Sequence, residues 1–171
     1  CASKHTACLF VPFFVTFAWT QAPSGGKLTA IRNICPVVIV PALLILPFVM
    51  WDAPAFVDDT LLYMSGQAAT SYPIRGLGVG SLLPGIGVID DKNAYFPFML
   101  LQAASCLPLL AFLLKRRVSL NTVRQSWLGY GLLLLTFAFF SLFPNHDLPG
   151  VAVTVVGIGL LVQDDRTEMS G

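Results

Sequence analysis

The sequence predicts an all-α fold: a polytopic membrane helix bundle of about four to five proline-kinked spans, with an external amphipathic or re-entrant segment. Three observations predict it. Of 171 residues, 56% are hydrophobic and 11% are charged, and mean hydropathy is +0.75; soluble domains carry about 25% charged residues. Four stretches approach the roughly 20 apolar residues that a spanning helix needs. Lys and Arg gather in short loops that alternate consistently between those stretches. The same composition excludes a disordered chain. Ten Lys and Arg balance nine Asp and Glu, so the basic excess of a nucleic-acid partner is absent.

The first span runs from Thr6 to Ala22, the second from Ile34 to Trp51, the third from Tyr95 to Leu114 and the fourth from Trp127 to Phe143. A fifth, Leu148 to Val162, is short and rich in Gly and Val. Pro12, Pro36, Pro41, Pro47, Pro97 and Pro108 recur inside the runs. Proline breaks a helix in water but is tolerated in a packed membrane helix, where neighbours satisfy the freed carbonyls.

Lys27 and Arg32 lie in the loop 23–33, and Lys115, Arg116, Arg117 and Arg124 follow the third span. Placing both loops in the cytoplasm puts residues 52–93 outside, with Asp52, Asp58, Asp59, Asp90 and Asp91 against Arg75 and Lys92. Within that segment Asp52 followed by Ala53-Pro54 reads as a helix cap with proline just inside the start. Residues 55–65 suit an amphipathic interfacial helix, closed by Gly66. The Gly-rich run Leu77 to Ile89 is too short for a span and suits a re-entrant segment buried in protein or lining a cavity.

The chain reads as one transmembrane domain, 1–171. Its opening, CASKHTACLF, lacks the basic region and cleavage site of a signal peptide. It reads as a cut inside a longer chain, whose preceding part would be a partner of this one. Cys1, Cys8, Cys35 and Cys106 show no metal-ligand spacing, and three of them sit in apolar runs as small hydrophobes.

The polar residues that ask for an explanation lie at the outer boundary. Lys4 and His5 precede the first span, Asp52 ends the second, Arg75 sits in the external segment, and Asn145, His146 and Asp147 form the outer turn before the fifth. Lys4, Arg75 and His146 are the candidates for holding a lipid-linked phosphate, because cations neutralise phosphate. The carboxylates and His suit orienting hydroxyl groups or a divalent metal. Each residue also has a plainer reading. Lys4 snorkels to head groups, Asp52 caps a helix, Arg75 pairs with Asp58 or Asp59, and the Asn-His-Asp run is a polar turn. P-loop, GxSxG, HExxH and dinucleotide fingerprints are absent.

Ala2-Ser3-Lys4-His5-Thr6-Ala7 with Val11-Pro12-Phe13 resembles an "A-x-K-x-x-A … P-F" segment of bacterial polytopic glycosyltransferases of the GT-C type. Residues 46–56, LPFVMWDAPAF, resemble the "L-P-F-x-x-W-D-P-x-A-F" segment of their polyprenyl-phosphate-mannose-dependent, alpha-mannosyltransferase-like group, with Ala53 where Pro is common. Tyr72-Pro73-Ile74-Arg75-Gly76 and Tyr95-Phe96-Pro97-Phe98 are similar to later segments. Residues 140–147, FSLFPNHD, resemble an outer "S-R-x-F-x-x-N" turn, with Leu142 in place of Arg.

The resemblance implies transfer of a sugar from a polyprenyl-phosphate donor to an acceptor at the outer face of the bacterial inner membrane. It also implies a catalytic base in a first external loop that precedes this chain, so neither Asp52 nor Asp147 is assigned as base. Asp52, Tyr72, Asn145 and Asp147 then become structural or acceptor-side candidates. The alternatives are a non-catalytic membrane subunit that scaffolds a larger complex, and a small transporter. The inverted repeat that a transporter predicts is not visible.

Overall fold

The computed structural model describes residues 6, 8–22, 26–63, 66–67, 73–74, 78–91, 93–120, 122–142 and 147–162, with backbone only at 117–120 and 147. Among them every regular element is helical. In chain order these are α1 (Val11–Gln21), α2 (Lys27–Trp51), α3 (Ala53–Val57) running into a π-helical turn (Asp58–Leu62), α4 (Val79–Gly85), α5 (Phe98–Leu120), α6 (Val123–Phe139) and α7 (Asp147–Leu161). Two helices are long and apolar enough to cross a membrane, Lys27–Trp51 and the stretch Phe98–Arg116 of α5.

The helix bounds depart from the sequence expectation in one consistent way. α2 starts at Lys27, inside the expected loop, and α5 continues through Lys115–Arg117 to Leu120. Hydropathy marks where a helix is apolar, whereas its hydrogen bonds continue through any helix-forming residues beyond. Lys, Leu, Arg and Ala are such residues. Conversely, the first span is shorter than expected. Its helix begins at Val11, with Pro12 in the first turn, where a missing N–H costs nothing. α6 begins at Val123 because Thr122 caps it, its hydroxyl accepting from Gln125 N at 3.3 Å.

α6 is the centre of the fold. It packs most extensively against α7, then α5, and α1 lies against α5 and α6. Phe13, Cys106, Tyr130, Leu133, Leu134, Ala152 and Val155 form one buried core drawn from these four helices. On α7 the buried positions Ala152, Val155 and Gly159 follow at spacings of three and four, which puts them on one helical stripe.

The close approach of α6 and α7 has a specific cause. A β-carbon at Gly131 would lie 2.5 Å from Val156 Cγ2, so only a glycine there lets the two helices meet. Phe10 completes the α1 side of the core, with ring centroids 5.5 Å from Trp127 and 5.2 Å from Tyr130. The Tyr130 hydroxyl donates to the Thr6 carbonyl at 3.4 Å. α5 is tied to α6 by Gln102 Nε2, which donates to the Phe137 carbonyl at 3.2 Å.

α2 is organised differently. It packs against α1 and α3, and Ala30 is its one buried residue. Leu28, Val38, Leu43, Leu44, Phe48, Met50 and Trp51 are exposed, Trp51 by 93%. Pro36, Pro41 and Pro47 all lie within its helix. At its start Lys27 Nζ stands 5.9 Å from the Trp19 ring centroid at the end of α1, within reach of a cation–π attraction.

Candidate functional site

One end of the bundle is closed by a cap that several separate segments build. Ile74, Ile89, Phe98 and Leu142 form a second buried cluster, with Val79, Leu83 and Phe96 packed against it. It joins the Gly-rich segment, the start of α5 and the exit of α6. Gly78 fastens it. Its φ is +88°, and a β-carbon there would lie 2.3 Å from the Phe139 carbonyl oxygen. No other residue type fits that backbone angle and that approach.

Gly66, at φ +81°, brings the segment that follows α3 and its π turn against the same cap, where its β-carbon position is 3.5 Å from Leu142 Cδ2. Beside it, Gln67 Nε2 donates to the Tyr95 hydroxyl at 3.4 Å. Within the Gly-rich run, Val79–Gly85 form one short helix, α4, whose Val79 and Leu83 pack on the cap.

α3 begins as its cap predicts. Asp52 Oδ1 accepts from Ala55 N at 3.0 Å, and Pro54 lies in the first turn. The continuation is not a plain amphipathic α-helix. At Asp58 it widens into a π turn, within which Thr60 donates its hydroxyl to the Phe56 carbonyl. Such bulges occur mostly as single turns. Asp58 and Asp59 are exposed there.

Lys4, Tyr72, Arg75, Asn145 and His146 lie outside the described residues, as does the side chain of Asp147, whose backbone starts α7. Their described neighbours are informative. Ile74 immediately precedes Arg75, and Leu142 is three residues before Asn145. Both belong to the cap cluster. Thr6, two residues after Lys4, instead lies at the level of Tyr130. Tyr130 is nine residues before Phe139, about 13 Å along α6 at about 1.5 Å per residue. The Asp52 carboxylate is occupied as a helix cap.

Among the described residues no group of three or more His, Cys, Asp or Glu is placed to hold a metal ion. Cys8, Cys35 and Cys106 are free thiols.

Two positions of the cap, Gln67 and Gly78, carry no signal strong enough to be singled out in the sequence, and Tyr95 stands there in the resembling segment 95–98 without a sign of its bond to Gln67. Their roles come from contacts made across the chain. No family model, curated protein or solved structure matches the chain.

Proposed function

We propose that this chain is part of a polytopic membrane glycosyltransferase, with α1, α2, α5, α6 and α7 as its spans and the capped end of the bundle as its extracytoplasmic, donor-side face. In this reading the donor is a polyprenyl-phosphate sugar. The acceptor hydroxyl gives its proton to the base that the resemblance places in a preceding loop, its oxygen bonds to the anomeric carbon as the carbon–oxygen bond to phosphate breaks, and polyprenyl phosphate leaves with the electron pair. Arg75 and His146 neutralise the phosphate, because charge-assisted hydrogen bonds from a cation match its oxygens. Asp52 keeps a structural role.

One observation supports this reading most. Three of the segments that carry the resemblance, 72–76, 95–98 and 140–147, meet in a single buried cluster through Ile74, Phe98 and Leu142, the last of these the position where the turn departs from the resembled pattern. The long apolar helices of the chain support a membrane setting.

The test uses the whole protein in lipid nanodiscs with a polyprenyl-phosphate-mannose donor. A hydrogen bond to a charged group contributes about 1.5–3 kcal/mol. Arg75→Ala is therefore expected to weaken donor binding by roughly tenfold to a hundredfold, with Arg75→Lys intermediate. Unchanged donor affinity in Arg75→Ala removes the phosphate role.

A second reading is a non-catalytic membrane subunit, favoured by the apolar surface that α2 leaves uncovered by the rest of the chain. It predicts partners that co-purify in fixed ratio and no donor binding by the wild type.

A further inference from the structure

We infer that the turn joining α5 and α6 is a binding surface for anionic phospholipid head groups in the leaflet opposite the cap; this rests on the membrane reading above. Lys115, Arg116 and Arg117 lie in succession on α5, and Arg124 occupies the second position of α6. Lys115, Arg116 and Arg124 have exposed side chains. A cluster of four Lys and Arg at the end of a spanning helix is the pattern that attracts anionic head groups.

Two further observations favour an anion as the ligand of Lys115 and Arg124. No Asp or Glu occurs between Asp91 and Asp147, so the turn carries no carboxylate of its own. The first turn of α6 holds no acidic residue, and Arg124 stands at the positive end of that helix's dipole. Its charge and the dipole therefore repel each other and would both be relieved by one anion.

The placement fits a bilayer. Phe98 of the cap and Lys115 are seventeen residues apart on one helix, about 26 Å at about 1.5 Å per residue. The hydrocarbon core is about 30 Å thick. With the cap at one surface, the basic turn meets the head groups of the other. A phosphodiester is the shared ligand chemistry, and a lipid is preferred to free phosphate because the same helix end carries exposed Phe112 at the apolar boundary.

The experiment places the whole protein in nanodiscs of phosphatidylcholine mixed with phosphatidylglycerol and measures phosphatidylglycerol retained after extraction by native mass spectrometry. Each Lys or Arg near an anionic surface adds enough attraction that the double variant K115Q/R124Q is expected to retain it roughly thirtyfold more weakly. The charge-conserving K115R/R124K is expected to match the wild type. Raising salt should erase the preference, and inorganic phosphate at millimolar concentration should not.

Equal retention by wild type and K115Q/R124Q overturns the inference, as does full displacement by phosphate. Alkaline carbonate extraction of wild type separates the two levels. A protein released by carbonate overturns the membrane reading, whereas a protein that stays in the membrane without a phosphatidylglycerol preference overturns only the lipid surface.

Discussion

α6 and α2 are both apolar helices, yet the fold treats them in opposite ways. α6 buries Ser126, Gly129, Tyr130, Gly131, Leu133, Leu134 and Ala138 over 17 residues. α2 buries Ala30 alone over 25. Leu134 is 0% exposed and Leu44 is 62% exposed. Hydrophobicity does not separate them. Small residues do: α6 has Gly129 and Gly131 in its buried face, and α2 has no glycine at all.

In a bilayer there is little hydrophobic gain in moving a leucine from lipid to a neighbouring helix. Association there depends on close packing and on hydrogen bonds between helices. α6 has both, through Gly131 against Val156 and through the Phe137 carbonyl that accepts from Gln102. α2 exposes large apolar side chains along most of its length, which suit contact with lipid chains.

This contrast can be broken most sharply at Gly131. Replacing it with leucine is expected to force α6 and α7 apart, at a cost of about 3 kcal/mol or more, because added volume in a packed core is absorbed only by shifting the backbone. Thermal unfolding in detergent, together with the rate at which buried Cys106 is alkylated, would show the loss of the bundle. Leu44→Phe on α2 should leave both measurements within experimental scatter.

A comparable effect is expected from Leu134→Ala. The cavity it leaves costs about 2–5 kcal/mol in a core that cannot collapse, while Leu44→Ala on α2 should shift stability by no more than about 0.5 kcal/mol. Similar losses at the two positions would mean that a protein surface covers α2. Smaller again is Gln102→Leu. Hydrogen bonds between membrane helices average about 0.6 kcal/mol and reach about 1.7, so this substitution should loosen α5 from α6 without unfolding the core. Hydrogen exchange at the end of α6 would detect it.

The comparison also explains what the sequence conveyed and what it withheld. The existence of the helices was legible, because each carries an apolar run with a recognisable boundary. So was the start of α3, because Asp52 with Pro54 is a local signal and its capping bond spans three residues. The ends of α2 and α5 were not, because Lys27–Asn33 and Lys115–Leu120 are helical but not uniformly apolar.

Burial was the least legible property. Nothing in the composition of α2 or α6 states which will be covered, since that depends on Gly131 meeting Val156, twenty-five residues away. At the candidate site, Arg75, Asn145 and His146 were visible as polar exceptions at one predicted membrane surface. The contact that relates their neighbourhoods, Ile74 with Leu142, is a pairing of two ordinary apolar residues. Asp52 shows the opposite case, since its cap role was readable locally and is realised.

The most direct test is an accessibility scan of α2 and α6 in lipid nanodiscs, with single spin-labelled cysteines at 37–46 and 127–136, Gly129 and Gly131 left intact, in a background without the native thiols. The account predicts that every α2 position is reached by oxygen, which concentrates in hydrocarbon, and by no water-soluble relaxation agent, while α6 is shielded from both with a helical period. An α2 scan showing a helical period of shielding, or open to the water-soluble agent, would contradict it.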